Sequence, residues 1–461
     1  MVKWGVEHWV EVLKRNRLKG LGAVVVLLLG GSLVWSLCVP HTDVRVEAIR
    51  KKGYPVTLAE LDAWYPAVPP AENAALVYTN AFALLAADSG LNTGASFMAS
   101  TWPLRGQGLT AEDKRGLAEL LATNQAALGL LYAAPASGRS RYPIDLREWP
   151  TAQLTQLAGV KGAVMLLTTE ALLHASDGDG QKATQALLAA GRVADSLSEE
   201  PLLISHLVRV AAWKIVLTRL ERVLGLTQLT DEQLGLLQES VGDAERPQGL
   251  VRSLVGEQAI GIAIYFDREN QDAAFSTGQQ SPSGKGGTFR MGLFFFGLYR
   301  ATGLFQKDKA YYLDAMGKQI AAAELPYPAR FTASGQAAAA LTNPPSRFCI
   351  ISRMMLPALS RVHGRDAESA ARIRAATAAL AVERFRRARG NALPDNLQAL
   401  APTYLPAVPA DPFAGKPLRF TRHGASYAVY CGGSDGKDDG GVDWNSLKLK
   451  NPSAVVFVVE H

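Results

Sequence analysis

Residues 162–242 decide the fold. They read GAVMLLTTEALLHAS (162–176), DGDG (177–180), QKATQALLAAGRVADSL (181–197), LLISHLVRVAAWKIVLTRLERVL (202–224) and, after Thr230, DEQLGLLQESV (231–241). Apolar residues recur in each block at three- and four-residue spacing, the period of an amphipathic helix. The spacing predicts helices over 162–176, 181–197 and 202–224. The first is stopped by Asp177-Gly178-Asp179-Gly180, the second near Glu200-Pro201 and the third before Gly225. Thr230 is placed to cap the fourth helix, with Gln233 at the capping-box position three residues on. The same texture, rich in Ala and Leu and broken by short turns, runs from about residue 57 to 389.

Helix, tight turn, helix with small residues at Ala183, Ala186, Ala189 and Ala190 resembles a tetratricopeptide-type array, in which alanine faces let neighbouring helices pack closely. A strict 34-residue period and the full consensus are missing, and an ordinary helical bundle fits the same pattern. Residues 271–289 form a polar, Gly- and Ser-rich loop, followed by the apolar run Met291–Tyr299. That run is too short to span a bilayer and reads as a buried helix. A further helix over 361–389 carries Arg361, Arg365, Arg372, Arg374, Arg384, Arg386, Arg387 and Arg389, which read first as a solvated face opposite Ile373, Thr377, Ala381 and Phe385, an anionic partner being the sharper alternative.

Upstream of this body, Leu21–Val39 (LGAVVVLLLGGSLVWSLCV) is nineteen residues without a charge. As a helix it extends roughly 28 Å, enough to cross the hydrocarbon core. It is longer than a cleavable signal core, and Trp35, Leu37 and Val39 stand where small residues would be wanted, so it reads as a retained anchor. Lys3, Lys14, Arg15, Arg17 and Lys19 precede it, which favours an N-in orientation against the weaker flank of Arg45, Arg50, Lys51 and Lys52. The expected division is 1–19, a basic amphipathic cytoplasmic segment; 20–40, the anchor; 41–345, an α-helical extracytoplasmic body; and 346–461, long helices plus a carboxy-terminal module. Lipid contact is expected through residues 21–39, and the bulk is expected outside the cytoplasm at the bacterial inner membrane, on its periplasmic side.

With 48 Lys and Arg against 42 Asp and Glu the chain carries +6, and its basic residues are not massed in one block. No nucleic-acid partner is expected; an envelope protein suits the charge and the compartment better. Cys38, Cys349 and Cys431 form no C-x-x-C and no metal spacing, and read as unreactive thiols.

Composition shifts at Gly390. Proline-punctuated turns lead through ADPFAGKPLRF (410–420) and SYAVYCGGSDGKDDGG (426–441) to AVVFVVE (454–460). Asp411-Pro412, Gly415, Pro417 and Phe420, then Tyr427, Tyr430, Gly433, Asp435, Gly436, Gly440 and Gly441, fall in the order found in the major pseudopilins of type II secretion systems. The last 80–90 residues resemble the carboxy-terminal part of that family, a long helix followed by a strand and a calcium-binding loop. The resemblance implies a small α+β module with a calcium loop, in which Asp435 falls on the family's motif, Asp438, Asp439 and Asp443 follow it, and the family's further aspartate before the final strand falls near Ala454. Independently of it, four carboxylates within nine residues offer several of the six to eight oxygens that calcium takes, although the spacing is not that of an EF-hand. The family's processing signal, Phe-Thr-Leu-Ile-Glu start and continuous pilin helix have no counterpart here, so assembly into a pseudopilus is not implied.

The expected fold is thus mainly α: an N-terminal transmembrane helix, a helical array or bundle, and a small pseudopilin-like module. Gly432-Gly433-Ser434-Asp435-Gly436 satisfies G-x-S-x-G, but KDDGGVDW is a poor start for the helix that a nucleophile elbow requires. Residues 278–285 (GQQSPSGK) have one residue too many for a phosphate loop. His174 and His206 lie on predicted helices as core or surface residues. The expected function is a non-catalytic scaffold or interaction protein, the alternative being an envelope hydrolase using Ser434.

Overall fold

The computed structural model describes residues 42–85, 108–135, 138–149, 151–266, 302–342, 349–433 and 454–461, with Tyr299 and Gly440. The run Leu21–Val39, the loop 271–289 and Ser434, Asp435, Asp438, Asp439 and Asp443 lie outside them. Among the described residues the chain is mainly helical and closes with a small antiparallel sheet. Five shorter helices come first: α1 (Thr42–Lys51), α2 (Leu58–Trp64), α3 (Ala74–Ala83), α4 (Ala111–Thr123) and α5 (Gln125–Ala133). Then come α6 (Gln156–Ser176), α7 (Gly180–Asp195), α8 (Leu203–Leu226), α9 (Asp231–Asp243) and α10 (Gly249–Phe266). After the break follow α11 (Leu304–Glu324), α12 (Ala329–Thr342), α13 (Ile350–Met355) and α14 (Val362–Ala388).

Helix α6 is apolar over most of its surface, with Lys161 as its exposed charge, and is the centre of the body. It is long and apolar enough to cross a membrane, yet 67% of its apolar window is buried, against α3, α4, α5, α7 and α8. A helix so largely apolar belongs in a core or a bilayer, and this one is covered by protein. The turn into α7 needs Gly178, at φ +79, and Asp179 caps α7 by accepting from the Lys182 amide at 3.0 Å. Ala183, Ala186, Ala189 and Ala190 are all buried, which lets α7 lie close to its neighbours. Thr230 and Gln233 form the reciprocal capping box at the start of α9.

The carboxy-terminal part is built on α14. Its alanine- and leucine-rich side is buried, and a short 3-10 turn at Leu397–Leu400 packs back on it. Strands β1 (Arg419–His423), β2 (Ser426–Cys431) and β3 (Val455–Val459) follow in the antiparallel order β1-β2-β3. The register sets Phe420 opposite Val429 and Cys431 opposite Val455. The sheet rests on α14, and the Tyr427 hydroxyl donates to the Ala379 carbonyl at 3.0 Å.

Sheet and body share one core. Strand β3 also packs on α8, where the Val458 amide donates to Glu221 at 3.1 Å. A Cβ at Gly225 would sit 2.5 Å from the Glu460 carbonyl oxygen, so the close approach requires glycine. A second cluster gathers α10, α11 and α13 around Leu254, Tyr265, Tyr312 and Met316. Cys349 and Cys431 are buried thiols, not a disulfide.

The arginines of α14 do not form a solvated face. Arg361, Arg365 and Arg389 are exposed, but Arg386 is buried beside Glu383, and Arg372, Arg374, Arg384 and Arg387 are half-buried. Arg384 pairs with Asp231 at 2.8 Å, and Arg387 donates to the Leu229 carbonyl at 2.7 Å, so both tie α14 to the start of α9. The long side chains reach from the flank of the apolar stripe to a neighbouring helix, which periodicity alone does not reveal.

Candidate functional site

A cleft of about 180 Å³ opens where α8, α14, the α9–α10 connection and the segment before α12 converge. Its charged groups are His206 and Arg209 from α8, Glu245 and Arg246 from the connection, Arg330 from α12, and Asp366 and Arg374 from α14. It lies at the seam between helical body and carboxy-terminal module. Gly415, at φ +71, turns the chain there, and a Cβ on it would meet the Pro328 ring at 2.9 Å. Phe413 meets Phe331 edge-on at 4.9 Å between ring centroids.

Asp366 is the hub. One carboxylate oxygen is 3.1 Å from His206 Nε2, and the other accepts from the Tyr327 hydroxyl at 2.7 Å and from Arg330 at 3.2 Å. Burial opposes its ionisation. The hydrogen bonds from His206 and Tyr327, with the positive field of His206 and Arg330, outweigh that and hold the carboxyl at about 2. Arg330 also donates to the carbonyls of Leu325 at 2.8 Å and Pro247 at 3.0 Å, and lies over the Tyr327 ring. One guanidinium therefore joins three segments.

Two further guanidiniums repeat the pattern. Arg374 holds Glu245 through two nitrogens, the shorter contact being 2.6 Å, and donates to the Ala410 carbonyl at 2.7 Å beside the Asp411 turn. Arg209 donates to Asp195 at 2.9 Å and to the Ala244 carbonyl at 2.7 Å, and the same Asp195 oxygen accepts from Trp213 Nε1. Arg246 is the looser member, 3.8 Å from Asp195 and 45% exposed. His363, one turn before Asp366, is buried and neither of its ring nitrogens has a partner among the described residues. Burial lowers its pKa to about 4, so it is neutral near pH 7.

This chemistry orients and neutralises. A carboxyl held at about 2 neither gives nor takes a proton at neutral pH, and the guanidiniums spend their donors on carbonyls and carboxylates across three chain connections. Bidentate and forked contacts of this type fix the angle between elements.

Of the residues singled out in the sequence, Asp411 is described and buried. Its side chain accepts from the Phe413 amide at 2.7 Å and its carbonyl accepts from Gly415 at 2.8 Å, closing the turn that Ala410 and Pro417 bridge. His174 is 3.9 Å from Glu170 on α6. His206 is in the cleft, and His461 is 3.2 Å from Glu383 on α14. Ser434 and the four aspartates of the loop lie outside the described residues, and among those described no cluster of His, Cys, Asp or Glu has the makings of a metal site. Sequence reasoning missed the cleft. The available signal was His206 and Arg209, one turn apart in the first turns of a helix, and Tyr327 and Arg330 between prolines and alanines.

Comparison with protein-family models, with curated proteins and with solved structures finds no match to this chain.

Proposed function

We propose that this chain is a single-pass inner-membrane protein, N-in, whose extracytoplasmic helical body is a non-catalytic scaffold for an envelope protein and carries a pseudopilin-like module. The observation that carries the reading is the order of elements after residue 361. A 27-residue helix leads through a 3-10 turn and an Asp-Pro turn closed by Gly415 into a three-stranded antiparallel sheet laid on that helix. This is the order that the motifs of 411–441 imply. The charged cleft agrees with it, because its groups lock the Asp411 turn and α14 to the body.

The acidic loop carrying Asp435, Asp438, Asp439 and Asp443 joins two paired strands whose ends, Cys431 and Val455, are opposite each other in the register. Calcium held there would close the loop and stiffen the sheet. The testing experiment is a pair of reporters fused after His461: a phosphatase active only outside the cytoplasm and a protein fluorescent only inside it. An active phosphatase and a dark fluorophore are expected; the reverse refutes the reading. A calcium-dependent rise in the melting temperature of the full chain, abolished by changing the four aspartates to Asn, is the expected sign of the metal.

A further inference from the structure

Helix α1 starts at Thr42, three residues beyond Val39, where the uncharged run ends. Three residues reach at most about 11 Å, so an anchor at Leu21–Val39 leaves the folded body no room to stand off from the lipid. Under that reading the first turn of α1 lies at the bilayer, and exposed apolar side chains occur on it and on α13. Val44 on α1 is 71% exposed, and Met354 and Ile350 on α13 are 64% and 48% exposed.

Helix α11 packs against both α1 and α13. Arg45, next to Val44, donates to Asp314 at 2.7 Å, and the Ile351 amide donates to Asp308 at 2.8 Å. Asp308 and Asp314 are six residues apart on α11, about 9 Å along its axis. Tyr311, midway between them, lies in the field of Asp308 and of the Cys349 thiol just before α13. Tyr299, last residue of the apolar run read at Met291–Tyr299, donates to Asp308 at 2.6 Å and so returns to this same end. Lys307 on α11, Arg353 on α13 and Arg361 just before α14 are all exposed, while the exposed acids Glu47 and Asp314 are paired with Arg50 at 3.3 Å and Arg45 at 2.7 Å. Ile350, Arg353 and Met354 stand at i, i+3 and i+4, so apolar and cationic groups share one helical face.

We infer that α13 and the first turn of α1 form a face that rests on anionic phospholipid, with Val44, Ile350 and Met354 in the interfacial zone and Lys307, Arg353 and Arg361 on the headgroups. This rests on the membrane-anchor reading above. Apolar side chains accompanied by cations are the chemistry of interfacial binding, where acyl-chain contact and headgroup attraction act together.

The test is nitroxide accessibility in the full chain reconstituted in vesicles containing phosphatidylglycerol, with Cys38→Ala as background. Labels are placed singly through Val44→Cys, Ile350→Cys and Met354→Cys, through Leu236→Cys on α9 as a water-facing reference, and through Val25→Cys inside the anchor. The expected result is several-fold lower collision with an aqueous nickel chelate at 44, 350 and 354 than at 236. The combined Lys307→Gln, Arg353→Gln, Arg361→Gln change should restore access. Labels at 350 and 354 as wet as that at 236, while the label at 25 is in lipid, would overturn this inference and leave the anchor standing. A wet label at 25 together with wet labels at 350 and 354 would remove both. Protection that the triple change does not relieve would overturn the headgroup contact.

Discussion

Replacing Asp366 by Asn tests whether the seam is held by charge. The carboxyl is drawn from an ordinary 3.8 down to about 2 in the folded state, which corresponds to about 2–3 kcal/mol of preferential stabilisation of the ionised form. The Asp366→Asn change keeps the shape and removes the charge, leaving Arg330, whose side chain is 6% exposed, without its counter-ion. Breaking a buried pair from one side costs about 3–5 kcal/mol, but two backbone carbonyls still receive Arg330, so a loss of about 2–4 kcal/mol is expected. The control is Asp314→Asn on the solvent-facing Arg45 pair, with side chains 32% and 51% exposed, where less than about 1 kcal/mol is expected. Urea unfolding of the full chain in detergent micelles, followed by tryptophan fluorescence at neutral pH, measures both. The folded state binds the Asp366 proton more weakly than the unfolded chain does. This contribution is therefore complete above about pH 4 and fades as pH falls towards 2, and the gap between parent and variant should narrow over that window. A variant within about 0.5 kcal/mol of the parent, as for an ordinary surface change, would refute the clamp.

His363 acts in a higher window. Burial depresses it from 6.5 to about 4, so neutral His363 contributes stability above pH 6.5 that is lost as pH falls to 4, about 3 kcal/mol in all. The His363→Leu variant should show a flatter stability profile between those values by the same urea assay, and an unchanged slope would count against it. Gly225→Ala places a methyl against the Glu460 carbonyl and should cost about 1–3 kcal/mol, read as faster proteolysis of the last strand. Thr230→Ala removes the capping-box hydroxyl at 3.2 Å from the Gln233 amide and should cost about 1 kcal/mol in urea unfolding.

Local signals were legible in the sequence and long-range ones were not. The capping box at Thr230 and Gln233 and the Gly178 turn are written in adjacent residues, and the structure has both. The long helix expected over 361–389 runs from Val362 to Ala388. Helix α6 begins at Gln156, six residues before the expected start, because Leu157, Ala158 and Gly159 look equally at home in a loop or a first turn. The cleft could not be read: His206 and Asp366 are separated by 160 positions, and nothing local marks either as the other's partner. The arginines of α14 were misjudged for a related reason. A side chain at the edge of an apolar stripe can point to water or to a neighbouring helix, and only the presence of α9 decides that for Arg384 and Arg387.

The bond between Val458 and Glu221 spans 237 positions of chain. At about 5–20 residues per second, α8 would leave the ribosome roughly 10–50 s before β3 arrives to cover it. Throughout that interval a strip of α8 is open to holdases, proteases and unwanted pairing, and contacts so distant in sequence are the slow kind to form. A product stalled short of residue 455 would leave that flank of α8 uncovered.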